Sequence, residues 1–149
     1  METTKKCKDK VESAFVSRME DIRHLVKADG GDGYYCETCK EYGHDPECWN
    51  CEKTDNVIDI EAEIGRLNEY GLSIDLVEAG TFEGQREDYI RYQISWGGPS
   101  EEFRIYKNGD VEFWYLDWFD GASIDVRGED AETIKEIVQW IAEENGWRL

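Results

Sequence analysis

Residues 34–53, YYCETCKEYGHDPECWNCEK, hold four of the chain's five cysteines as two C-x2-C pairs eight residues apart: Cys36 and Cys39, then Cys48 and Cys51. No other feature restricts the fold so strongly. A C-x2-C pair lets two thiolates converge on one ion across a tight turn. Two such pairs supply a tetrahedral donor set, which suits Zn²⁺ because that ion brings no geometric demand of its own. Gly43 and Pro46 in the intervening loop are turn formers, as a reversal between two knuckles requires. A thioredoxin-type redox pair belongs at a strand-to-helix junction of a parallel sheet, and the cysteine spacings of the common ferredoxins are different. Zinc is therefore the expected cofactor, with Cys36, Cys39, Cys48 and Cys51 as ligands. Four protein ligands leave no open position, so the expected role is structural, folding a segment with too few apolar residues to fold unaided. His44 is an alternative to one sulfur ligand and more simply a solvated loop residue; Cys7, far upstream, reads as a bystander.

Paired cysteines are metal ligands or catalytic thiols in a reducing compartment and disulfides in an oxidising one. The opening METTKKCKDK has no apolar stretch behind it, and the longest strongly apolar run, FWYL, is only four residues, against the roughly 20 that span a bilayer. The expectation is a cytoplasmic protein with no membrane segment. Leu, Ile, Val and Phe make up only about a fifth of the 149 residues, near the composition of disordered chains. Six Trp, eight Tyr and five Phe pull the other way, since such rings bury large areas and are scarce in disorder.

Periodicity predicts the order of elements. Val11, Ala14, Phe15, Met19, Ile22, Leu25 and Val26 form the stripe of an amphipathic helix, closed by ADGGDG. After the cysteines, Val57, Ile60, Ile64 and Leu67 share a helical face, with Asp55 or Asn56 as cap and Gly71 as stop. From Leu72 the period becomes two. LSIDLVEA and YIRYQISW read as strands, EEFRIYKNGDVEFWYLDWF as a hairpin turning on Asn108-Gly109, and ASIDV as an edge strand. In the hairpin's second strand Val111, Phe113, Tyr115 and Phe119 alternate with Trp114, Leu116 and Trp118, so neither face is plainly polar. Such a strand is either covered on both sides or an exposed aromatic shelf. Asp130 is a plausible cap for a last helix carrying Ile134, Ile137, Val138 and Ile141. The expectation is an α+β fold: N-terminal helix, zinc-knuckle insertion at 34–53, second helix, four- to five-stranded antiparallel sheet, and C-terminal helix, all in one domain over residues 1–149.

Net charge is −18, unevenly spread: +2 over residues 1–27, −5 over 28–53 and −15 over 54–149. Such a field repels nucleic acid and anionic membrane and draws in basic surfaces. Catalytic patterns are wanting. Asp117, Asp120 and Asp125, with Glu101 and Glu102, lack the companion lysine or histidine of a metal-dependent nuclease. GGDG and GGPS lack the helix and lysine of a phosphate loop, and neither His24 nor His44 has a nucleophile beside it. The expectation is a protein that is not an enzyme.

YGLSID, GTFEGQ, YQISWGGPSEEFR and FWYLDWFDGA, all within residues 69–125, resemble a family of small acidic proteins of phages, plasmids and other mobile elements. The cysteine segment lies outside the likeness. The resemblance implies no catalytic residue; it implies a setting, mobile DNA confronting its host. There a compact acidic protein can present carboxylates where a nucleic-acid-binding protein expects phosphates, which in duplex DNA come about one per 1.7 Å of axis. The expected function is thus inhibition of a host defence complex, of the anti-CRISPR or anti-restriction type. The partner would be a basic nucleic-acid-binding protein, with no direct contact to nucleic acid. Asp117, Asp120, Asp125, Glu129, Asp130, Glu132 and Glu136 are the expected contact residues. The alternative is a zinc-ribbon adaptor that docks a protein partner through its knuckle.

Overall fold

The computed structural model describes residues 6–118 and 120–144. It has the expected α+β architecture, with an N-terminal helix, a cysteine-rich insertion, a five-stranded antiparallel sheet and a C-terminal helix. The described residues form two compact units, one built from residues 6–15 together with the described residues from Gly71 onward, the other from Val16–Tyr70. The boundary falls inside the first helix, α1 (Cys7–Asp29). Phe119, assigned above to the hairpin's apolar face, lies outside the described residues.

The larger unit is organised by a five-stranded antiparallel meander of β4 (Ser73–Val77), β5 (Tyr89–Ser95), β6 (Ser100–Tyr106), β7 (Val111–Asp117) and β8 (Asp120–Val126), in that spatial order. Residues paired across antiparallel strands share a face. Register therefore lines up Ile74, Tyr92, Phe103, Phe113 and Ile124 as one apolar row crossing all five strands. Phe103 and Phe113 are fully buried, and Phe15 of α1 packs its ring against both, with centroids 6.5 and 5.7 Å away. Each such ring contributes roughly 1.5–3 kcal/mol by leaving water. The last helix, α4 (Gly128–Glu144), begins ahead of the expected cap at Asp130 and buries Ala131, Ile134, Ile137, Val138 and Ala142.

One residue along each strand the other face is different in kind. There Asp75, Arg91, Arg104, Glu112 and Asp125 form a charged row in register. Arg91 grips Asp75 through two N–H groups, at 3.1 and 2.8 Å, and Arg104 donates to Glu102 at 2.8 Å. Trp114 lies on this face, its ring 4.0 Å from the Arg104 guanidinium carbon, and its Nε1 donates to Glu112. Trp118 does not continue the strand. It sits in the β7–β8 turn with φ +56° and is 90% exposed. The Asn108-Gly109 hairpin forms where expected, but only Gly109 takes positive φ (+94°), so the turn is not type I′. Asn108 instead accepts from the Asp110 N–H and donates to its carboxylate, building the turn from side-chain hydrogen bonds.

The smaller unit carries a three-stranded sheet in the order β2-β1-β3, made of β1 (Tyr34–Cys36), β2 (Glu41–Gly43) and β3 (Val57–Asp59). The single helix expected after the cysteines does not form. Residues Val57–Asp59 pair with β1, and two one-turn helices follow, α2 (Ile60–Glu63) and α3 (Leu67–Tyr70). Asp59, rather than Asp55 or Asn56, is the cap, accepting from the Ala62 N–H at 3.2 Å. Gly65, at φ +118°, takes the chain out of helical conformation before α3.

Candidate metal centre

Each cysteine pair closes the same turn. The Lys40 N–H donates to the Cys36 carbonyl at 2.8 Å, and the Glu52 N–H to the Cys48 carbonyl, also at 2.8 Å. Lys40 and Glu52, one residue past the second cysteine of each pair, have φ +59° and +60°. The two knuckles are thus copies in geometry, each reversing the chain so that both thiols face inward. Cys36 ends β1, which is held between β2 and β3, so sheet pairing fixes one knuckle. The second is tied down by its own backbone, the Cys48 N–H donating to the Lys53 carbonyl at 3.0 Å.

The four sulfur atoms all lie within 4.8 Å of one another, and Cys36 Sγ is 3.9 Å from Cys51 Sγ. A tetrahedral centre with metal–sulfur bonds of about 2.3 Å puts its sulfurs about 3.8 Å apart, whereas a disulfide would put them about 2.05 Å apart. The cysteines are free, and Cys36 and Cys48 are buried. Number, chemistry and spacing of these donors all fit one metal ion. His44 is not among them; its side chain is 80% exposed and lies 3.5 Å from Asp45.

Crowding sets the thiols against one another. Backbone N–H groups of Cys51 and Asn50 help draw Cys48 down to about 7. Cys39 is pushed up to about 12: a hydrogen bond from Asn50 works to lower it, but desolvation and the neighbouring sulfurs outweigh that. One thiolate forms readily and the next is opposed by the first, a conflict that a bound cation removes. Beneath the knuckles lies an aromatic cluster. His24 of α1 packs on Tyr35 at 4.4 Å and hydrogen-bonds the Tyr42 hydroxyl at 2.7 Å. Trp49, between Cys48 and Cys51, remains 64% exposed although its Nε1 donates to the Tyr42 carbonyl at 3.0 Å.

The seven acidic residues singled out in the sequence divide into groups. Asp117 is half-buried at the end of β7, opposite Asp120. Asp120 accepts from the Cys7 N–H at 2.8 Å, satisfying an otherwise unpaired amide at the start of α1, and this bond holds its carboxyl below the usual range. Cys7 is therefore no bystander: it is 2% exposed, and burial pushes its thiol up. Asp125 pairs with Arg127 at 3.2 Å. Glu129, Glu132 and Glu136 are brought together on the exposed side of α4, with Lys135 3.0 Å from Glu132; Asp130 is half-buried in the first turn. Glu143 joins that side and was missed in the sequence. At 3.6 residues per turn, residues 129, 132, 136 and 143 fall within about 60° of arc over about 21 Å. Helical spacing was the signal that could have found it.

Set against family models, curated proteins and solved structures, the chain matches none. No helix among the described residues is long and apolar enough to cross a membrane.

Proposed function

We propose that this protein is a non-catalytic, zinc-braced binding protein that occupies the basic groove of a nucleic-acid-binding partner, in the manner of an anti-CRISPR or anti-restriction inhibitor. The observation that carries this reading is the row Glu129, Glu132, Glu136 and Glu143 on the exposed side of α4, in a chain of net charge −18. A helix holds such carboxylates at fixed spacing, as a sugar-phosphate strand holds its charges, so a cationic cleft meets them with little further ordering. Zn²⁺ at the four thiolates is structural, since protein ligands fill every tetrahedral position, and it takes the net charge to about −20. Glu129, Glu132 and Glu136, with Glu143, are the contact residues of this reading. Asp117 and Asp120 serve the sheet turn and the start of α1 instead.

A second reading is favoured by Trp49, whose exposed indole is held at the knuckle by its bond to Tyr42. In that reading the knuckle is the docking surface of an adaptor and the acidity confers solubility. Affinity capture from extract of the cells that express the protein separates the two. A bound protein that is released by rising salt and displaced by duplex DNA supports the inhibitor. A bound protein that resists salt, ignores DNA and is lost in Trp49→Ala contradicts it and supports the adaptor.

A further inference from the structure

Trp118 breaks two local rules at once. It stands in the β7–β8 turn at φ +56°, backbone that suits glycine or asparagine and disfavours a bulky side chain. Its ring is 90% exposed, so no burial offsets that cost. A strained residue with no return inside the fold points to something the ring meets outside it. A second indole stands close by. Consecutive turns of an antiparallel meander alternate between its ends, so the β5–β6 turn lies at the same end of the sheet as the β7–β8 turn. The two turns touch: a Cβ on Gly98 would stand 3.6 Å from Asp117 Oδ1 and 3.8 Å from Trp118 Nε1. Trp96, two residues before Gly98 and so within about 7 Å of it along the backbone, is 74% exposed. These are the two most exposed large apolar side chains among the described residues.

Charge decides what fits these open rings. The turns SWGGPS (95–100) and LDWFDG (116–121) hold two carboxylates and no basic residue. Asp120 is engaged by the Cys7 N–H, which leaves the half-buried Asp117 beside the Trp118 indole. In a chain of net charge −18, an aromatic face edged by a carboxylate repels anions and suits a cation, for which indole is the strongest of the aromatic partners. Among cationic side chains arginine fits best. Its planar guanidinium stacks on a ring while its N–H edge donates to a carboxylate, whereas the lysine ammonium is a compact, strongly hydrated charge. The molecule already contains this arrangement once, at Arg104, which lies 4.0 Å from the Trp114 ring centroid while donating to Glu102.

We infer that the sheet end carrying Trp96 and Trp118 is a docking surface for arginine side chains of a basic protein partner, their guanidinium planes stacked on the two indoles. The inference rests on the inhibitor reading for the partner's charge and divides the work: the α4 glutamates steer the partner in, and the indoles hold it at contact. The test is titration of the full chain, prepared with zinc, with octa-arginine and octa-lysine peptides of equal charge, following the tryptophan indole N–H resonances by NMR. Octa-arginine should shift the signals of Trp96 and Trp118 saturably and bind roughly fivefold or more tighter than octa-lysine. Trp96→Ala combined with Trp118→Asn should abolish that preference and weaken octa-arginine about tenfold. The melting temperature should hold or rise, because asparagine accepts left-handed backbone. Trp96→Ala alone should reduce the preference and serves if the double variant does not fold. Glu129→Gln, Glu132→Gln, Glu136→Gln should weaken both peptides alike, so a failure of the α4 reading shows in overall affinity and a failure of this inference in the arginine preference. The inference is overturned if neither indole responds, if the two peptides bind alike, or if the preference survives the loss of both rings. It is overturned equally if the two rings respond instead to neutral phosphatidylcholine vesicles or to dilution of the protein alone, which would mark a membrane or a self-association surface.

Discussion

Lys40 and Glu52 adopt left-handed backbone for one shared reason: each knuckle must turn its second thiol back toward the first. Neither side chain is needed for that turn, and the conformation costs a non-glycine residue about 1–2 kcal/mol. Lys40→Gly should therefore leave metal binding intact and stabilise the smaller unit by up to about 1 kcal/mol, the gain being reduced by glycine's greater freedom in the unfolded chain; thermal melting monitored at the knuckle checks it. His24 makes a prediction of opposite kind. Burial lowers its pKa, outweighing the carboxylates of Glu20, Asp21 and Glu37 that would raise it, while Arg23 adds to the lowering. The folded state thus prefers the neutral ring. The stability this provides is whole above the unfolded value of about 6.5 and is lost as pH falls through the lower folded value. Acid titration of the melting temperature should show a loss beginning just below pH 6.5, and His24→Gln should flatten that limb. An unchanged limb in the variant would mean the loss belongs to the thiols.

At the level of elements, the sequence disclosed whatever a period encodes. The α1 stripe, the alternation of the strands and the two C-x2-C pairs all depend on spacing alone, and the structure has them. Contests between a period and a partner stayed hidden. Val57, Ile60, Ile64 and Leu67 fit a helical face, yet β1 needs a neighbour and takes residues 57–59 for it, while Gly65 divides what is left. Glu102 is likewise 2% exposed because Arg104 lies on the same strand face, a pairing that exists only once β6 has formed. Gly71 follows the end of α3 at Tyr70, as its pattern suggested, and a second constraint was hidden: a Cβ there would land inside the Tyr92 ring. Gly71→Ala should cost about 1–3 kcal/mol by overpacking, read by urea unfolding followed through the aromatic signals of the larger unit. Chelation should act on the other unit. Removing the proposed zinc with a strong chelator, or Cys48→Ser, should abolish the ordered knuckle while leaving the larger sheet's circular dichroism in place. Metal content should fall from one zinc per chain to none, and zinc affinity should weaken as pH falls because protons compete for the same thiolates. A chain that keeps its knuckle order without metal would refute the structural role.

For the whole molecule, charge was legible in amount and only partly in arrangement. Counting residues gives −18 and places most of it in the last two thirds. It cannot say that Asp120 is spent at the start of α1 or that Asp125 faces Arg127; the alignment of four glutamates on α4 follows from helical spacing once that helix is placed. The functional account rests on that alignment, and its most direct test is the affinity of the captured partner for the variant Glu129→Gln, Glu132→Gln, Glu136→Gln, which removes charge with little change in shape. The account expects at least a hundredfold weaker binding, about 2.7 kcal/mol, and a flatter dependence on salt, with zinc content and melting temperature unchanged. Unaltered affinity and an unaltered salt dependence in that variant would contradict it.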